Sequence, residues 1–188
     1  KVEFNQAKNH AVINQNKIIP NLSRKIDFKE EESNAFRIIS VCRINKIKNI
    51  HFFLNVLQKC NFQCEYFIVG IIEDKLYYRK LLEAVEKLPP HISVQFLGAK
   101  SYGSIKDLLQ HSTLFVSTSL NENYGHSIAE ALGHGVPVLI SESCPWEKLE
   151  LFQAGFRIPM NEKKFIEKLN EVFNKSKQEQ KQMSRGAR

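Results

Sequence analysis

Five short β-prone runs, each followed by residues at helical spacing, constrain this chain more than any other feature. Phe36–Cys42, Tyr66–Gly70, Ile92–Leu97, Thr113–Ser117 and Val136–Ile140 are apolar and of strand length. Ile50, Phe53, Leu54 and Leu57 recur at the i, i+3, i+4, i+7 interval, as do Tyr78, Leu81, Leu82 and Val85. Ile105, Leu108 and Leu109 mark a shorter helix, Gly125–Leu132 another, and Phe165, Ile166, Leu169, Val172 and Phe173 a last one. Strands alternating with helices at this pitch predict right-handed βαβ units and a parallel sheet covered on both faces. In such sheets ligands sit beyond the carboxyl ends of the strands, which singles out the loops starting at Cys42, Gly70, Gly98, Ser117 and Ser141.

Composition narrows the functional classes. The 188 residues suit one domain, and a 43% hydrophobic share suits a globular core. No stretch approaches the ~18 consecutive apolar residues of a membrane span, and Lys1 to Ala11 carries no signal-peptide pattern. Residues 1–35 read as a linker or entry segment, 36–175 as the domain proper, and 176–188 as a polar tail that frays. Four cysteines, Cys42, Cys60, Cys64 and Cys144, are too few for a disulfide scaffold in a chain this long and read as reduced thiols. Cys60 and Cys64 lack a second Cys or His pair nearby, so no metal site is expected. The net charge of +7 attracts polyanions, but Lys46, Lys80, Lys100, Lys163 and Lys175 are scattered, as on a solvated surface. An RNA-binding reading lacks interleaved aromatics and arginines.

Neither G-x-G-x-x-G nor G-x-x-x-x-G-K-[ST] occurs, which argues against a dinucleotide-binding domain or a P-loop NTPase. The most informative stretch runs from Ser117 to Val138. There a strand ends in small hydroxyl residues, an acidic loop follows, and Gly125 opens a helix. Backbone N–H groups of Gly125, His126 and Ser127 at that helix start suit a phosphate. Ile128, Ala131 and Leu132 share the face turned to the sheet, leaving Glu130 on the far side. Glu122 and Glu130 thus flank a phosphate-friendly helix start, and a carboxylate can accept both hydrogen bonds of a vicinal diol. The alternative for the pair is a favourable helix-dipole contact and a solvated surface residue.

Glu122, seven residues and Glu130, within E-x-Y-G-H-S-I-A-E-A-L-x-x-G-V-P-V, resembles the signature of retaining glycosyltransferases of GT-B architecture, in the large bacterial family of group 1 glycosyl transferases (family four). Arg43, four residues, then Lys48-Asn49 resembles that family's R-x-x-x-x-K-[NG] element. Ile18-Ile19-Pro20-Asn21, Phe96-Leu97-Gly98, Pro145-Trp146 and Gly155-Phe156 resemble further elements in the same order. The resemblance implies a Rossmann-like three-layer α/β/α sandwich, the C-terminal half of a GT-B fold. It implies that Arg43 and Lys48 grip a donor diphosphate and balance its charge as the sugar leaves. By the same resemblance Glu122 lies against the donor sugar, Glu130 accepts from the ribose hydroxyls, and Gly125, His126 and Ser127 meet the phosphates. Lys100 would border the base.

The resemblance also implies a nucleotide-diphosphate sugar as substrate, no metal or other cofactor, and a hexose passed to a sugar or lipid-linked acceptor. Family members commonly build surface polysaccharide, which implies a cytoplasmic protein, peripheral at the inner membrane face. The acceptor would bind through an N-terminal domain that these residues do not include. Three departures stand out: Cys42 replaces a Gly, the loop after Gly70 lacks a second Gly, and Trp146 replaces a Gly-Gly and following Glu. A competing reading is a non-catalytic nucleotide-binding module that has kept the fold.

Overall fold

The computed structural model describes residues 36–188. The entry segment 1–35, with its Ile18-Ile19-Pro20-Asn21 element, lies outside the described residues.

The strands are β1 (Arg37–Val41), β2 (Cys64–Val69), β3 (Ile92–Gly98), β4 (Leu114–Ser117), β5 (Val138–Ser141) and β6 (Gly155–Ile158). They form one sheet in the order β3-β2-β1-β4-β5-β6, every pairing parallel. The helices are α1 (Ile50–Leu57), α2 (Lys75–Val85), α3 (Tyr102–Gln110), α4 (His126–Gly133), α5 (Glu162–Phe173) and α6 (Lys177–Ala187). A 3-10 turn, Lys46–Lys48, precedes α1.

Period-2 alternation along the strands divides the core. Ile38, Tyr66, Ile68, Leu114 and Val116 pack with residues of α1, α2 and α5, Phe53, Leu81 and Phe165 among them. Ile39, Phe115, Val138 and Ile140 pack on the other face with Ile128, Ala131 and Leu132 of α4 and Leu109 of α3. The result is the α/β/α sandwich expected from the alternation.

Helix starts follow local chemistry. Asp74 Oδ1 accepts from the Tyr77 amide at 2.9 Å, and Ser101 and Asn161 cap α3 and α5 in the same way. Pro89 and Pro90 follow the end of α2, where a helix cannot continue.

Two expectations need correction. The polar tail does not fray: 177–187 is a helix, and the fold runs past the boundary expected at 175. Ser176 and Glu179 form a capping box, and Met183 and Ala187 are buried one turn apart. A sixth strand, β6, also exists where Gly155-Phe156 stood only as a motif. Gly155, at φ 139°, lies so close to β5 that a Cβ would sit 1.9 Å from the Val138 carbonyl oxygen. Only glycine fits that approach. Smaller shifts occur as well: β5 begins at Val138 rather than Val136.

Candidate functional site

The chain turns back at β1: β2 and β3 lie on one side of it, β4 to β6 on the other. The switch point between β1 and β4 leaves a crevice at their carboxyl ends, the ligand position of open α/β sheets. The loops after these two strands carry Arg43, Lys48 and Glu122.

The loop after β1 is held from several directions. The Cys42 amide donates to the Val69 carbonyl at 2.9 Å and the Ile44 amide to the Ile71 carbonyl at 2.8 Å, prolonging the sheet by one bridge. Asn45 Oδ1 accepts from the Lys48 amide at 3.2 Å, closing the turn. Asn49 then takes the left-handed conformation at φ 49° and starts α1, a geometry that Asn tolerates better than most residues.

Hydroxyls of the second loop stitch it to the first. The buried Thr118 hydroxyl donates to the carbonyls of Lys48 (3.2 Å) and Asn49 (3.1 Å). Ser119 Oγ donates to the Asn121 carbonyl at 2.8 Å, and the Leu120 amide to the Ile47 carbonyl at 2.8 Å. Beneath them Ser141 Oγ donates to the Ser119 carbonyl at 2.5 Å. These bonds set Lys48 opposite Glu122, and Nζ lies 2.5 Å from Oε2. Both side chains are largely withdrawn from water, 18% and 19% exposed, so the pair is less screened than a surface contact.

Cys42 stands beside this pair. Burial pushes its thiol up to about 12, with Lys48 opposing and Glu122 reinforcing the shift. Such a thiol stays protonated and is no nucleophile.

Arg43 lies further out, 62% exposed, with Nη1 2.5 Å from Glu73 Oε1. Asn45 Nδ2 donates to the other oxygen of Glu73. Neither Glu73 nor Asn45 figured among the sequence candidates.

Gly125 begins α4 at φ 78°, ψ 58°, and α4 has no side-chain cap. A Cβ there would lie 2.8 Å from Ile128 Cδ1, and the left-handed backbone is itself unfavourable for other residues. First-turn amides of an α-helix lack intrahelical partners, so this start offers donors to an anion. Trp146 Nε1 donates to the Tyr124 carbonyl at 2.6 Å, and the Tyr124 ring lies 4.8 Å from that of His126. The departure at Trp146 therefore has a local consequence: the indole holds the loop that leads into α4.

Glu130, expected on the outer face of α4, is half-buried, and burial raises its carboxyl pKa. Lys100 is exposed and borders a separate cavity of about 510 Å³, lined also by Arg37, Phe67, Leu97 and Leu108. The structure brings Lys48 and Glu122 into contact and leaves Lys100 in that other groove. Among the described residues no cluster of three or more His, Cys, Asp or Glu side chains could hold a metal ion. No helix among them is long and apolar enough to cross a membrane.

The sequence reading gave no role to Thr118, Ser119, Glu73 or Asn45, named Ser141 only as the start of a loop, and took Trp146 only as part of a family element and a departure from its pattern. The run of small hydroxyl residues at the end of β4 was the available signal for the first two.

Comparison with known proteins places this geometry. Residues 23–188 match the family model described as Glycosyl transferases group 1. No curated protein matches the sequence. Among solved structures, HepE of Anabaena, in complex with UDP and glucose, superposes with a TM-score of 0.72 at 24% identity, over 82% of this chain and 42% of that one. WaaG, a glycosyltransferase involved in lipopolysaccharide biosynthesis, gives 0.71 at 18% identity over 83% of this chain and 42% of that one. A mutant of S. aureus TarM, in complex with Fondaparinux, alpha-GlcNAc-glycerol and UDP, gives 0.73 at 18% identity over 100% of this chain and 37% of that one. The chain spans about two fifths of the length of these structures. The chain belongs to the group 1 glycosyl transferases, and its described residues have the α/β, Rossmann-like fold of GT-B enzymes.

Proposed function

We propose that this chain is the donor-binding domain of a retaining, metal-independent glycosyltransferase. It would hold a nucleoside-diphosphate hexose whose sugar passes to a glycan or lipid-linked acceptor carried by an N-terminal domain. Surface polysaccharide biosynthesis, in the cytoplasm at the inner membrane face, is the proposed setting. The observation that carries this reading is the Lys48–Glu122 pair at the switch point between β1 and β4. UDP in complexes of HepE and TarM lends it support.

In this reading the diphosphate lies between Lys48, Arg43 and the start of α4. Arg43 offers a planar fork and Lys48 a compact charge, and both offset the negative charge that grows on the leaving diphosphate. Amides of Gly125, His126 and Ser127 add fixed dipoles. Glu122 turns from Lys48 to the hydroxyls of the donor sugar once a phosphate takes the ammonium. Glu130 accepts from the ribose diol, and those hydrogen bonds favour the ionised carboxylate against the burial that opposes it. Lys100 would meet the base from the groove it shares with Leu97 and Leu108.

Thermal unfolding against UDP, GDP, ADP and their sugars, with and without Mg²⁺, tests the proposal. A ligand at ~100 times its dissociation constant adds ~2.7 kcal/mol. Selective stabilisation by one nucleotide-diphosphate sugar without metal is the expected result. Stabilisation by a nucleotide with no discrimination for its sugar would favour the non-catalytic module, and no response to any of them would overturn both.

A further inference from the structure

Backbone hydrogen bonds join the loops after β1 and β2 at one buried junction. The Ile44 amide donates to the Ile71 carbonyl, and the Ile44 carbonyl accepts from the amides of Glu73 (3.2 Å) and Asp74 (3.1 Å). Ile44 is buried, so this junction is anchored in the core while its neighbours Arg43 and Glu73 face water. The Glu73 backbone is therefore fixed beside the Arg43 side of the crevice.

Both carboxylate oxygens of Glu73 are engaged. Oε1 accepts from Arg43 Nη1 at 2.5 Å, and Oε2 accepts from Asn45 Nδ2. Asn45 in turn accepts from the Lys48 amide, so one side chain links Glu73 to the turn that presents Lys48. An anion thus stands at Arg43, on the phosphate side of the crevice, and it comes from the protein itself.

The Arg43–Glu73 pair uses a single guanidinium nitrogen and is open to solvent. Exposed pairs of this kind are weak and screened by salt. The donor's diphosphate carries two negative charges against the carboxylate's one and can engage two guanidinium nitrogens where Glu73 engages one, so it is the stronger partner.

We infer that Glu73 is a placeholder anion: it occupies Arg43 and Asn45 and competes with the donor's diphosphate for them, setting the affinity of the site. The inference rests on the donor-site reading given above. Binding exchanges one carboxylate for a phosphate at Arg43, and release of the nucleoside diphosphate returns Arg43 to Glu73. A guanidinium with a partner in both states is never left uncompensated, and the diphosphate is held less tightly than the count of basic residues suggests.

Isothermal titration of the chain with UDP, GDP and ADP, and with uridine as a ligand without phosphate, tests the inference in four proteins. These are the unaltered chain, Glu73→Gln, Arg43→Ala and the double variant. With whichever diphosphate binds, Glu73→Gln should bind about two- to fivefold more tightly, the range expected on removing an exposed competing ion pair. That gain should vanish in the Arg43→Ala background, any uridine affinity should not change, and thermal stability should stay near that of the unaltered chain.

Equal or weaker diphosphate binding by Glu73→Gln, or a gain that persists without Arg43, overturns the inference while leaving the donor site intact. Absence of diphosphate binding by all four proteins overturns the donor-site reading and this inference with it.

Discussion

Glu122 and Lys48 satisfy each other at 2.5 Å, so removing one changes what the other can do. Glu122→Ala frees the ammonium for phosphate while deleting the proposed contact to the sugar. Titration should therefore show bare nucleoside diphosphate bound as well as before or better, and the nucleotide sugar bound more weakly. Glu130→Ala should weaken both by about tenfold, the loss of hydrogen bonds to a charged acceptor; unchanged affinity in a folded variant would remove Glu130 from the site. At the other end of α4, His134 is 1% exposed and neither ring nitrogen has a hydrogen-bond partner. Burial, helped by Lys106, lowers its pKa below the usual value near 6.5. The unfolded chain then binds the proton more readily than the folded one, so stability is full above about pH 6.5 and falls as the pH drops toward the lowered pKa. His134→Leu should flatten that acid-side loss in urea melts at pH 5 and pH 7.5. At this scale the sequence reading reached Lys48 and Glu122 because a spaced motif carried them. Glu73, and the Tyr124 carbonyl that Trp146 holds, were not legible because these partners lie 30 and 22 positions apart in the chain.

The loops after β1 and β4 act as one element because the Thr118 hydroxyl and the Leu120 amide donate to carbonyls across the crevice. Thr118→Val keeps the shape and deletes the single hydroxyl donor shared by the Lys48 and Asn49 carbonyls. Nucleotide affinity should fall in that variant and return in Thr118→Ser, a comparison that separates the hydroxyl from the packing of its methyl group. Long amphipathic stretches such as α1, α2 and α5 were readable from apolar spacing. The two elements that escaped lacked it. β6 is four residues long, and nothing in its composition distinguishes it from a loop until β5 lies alongside. α6 buries only Met183 and Ala187 on an otherwise polar surface, too sparse for a stripe. Its docking is nonetheless real packing: Met183→Ala should cost about 2–5 kcal/mol in a urea melt, whereas Ser176→Ala, which removes the cap, should cost about 1 kcal/mol.

Across the whole molecule, β1 is the axis about which the chain is wound. The order β3-β2-β1-β4-β5-β6 could be anticipated only as a parallel sheet, since periodicity reveals which residues are strands and not which strands are neighbours. That order makes the Lys48–Glu122 contact a meeting of residues 74 positions apart. Ile38 likewise pairs with Leu114 across the full span of β2, β3 and their helices. Contacts of such long sequence separation require closing a large loop, and chains dominated by them fold slowly. Competence to bind an anion requires β4 docked on β1, a step that its large loop closure would place late in assembly. A nucleotide that stabilises this site acts on the native state more than on the transition state. Stopped-flow measurements should find it slowing unfolding while leaving the refolding rate almost unchanged. The crevice that serves as a candidate binding site is thereby also a clock, marking when the two halves of the sheet have joined.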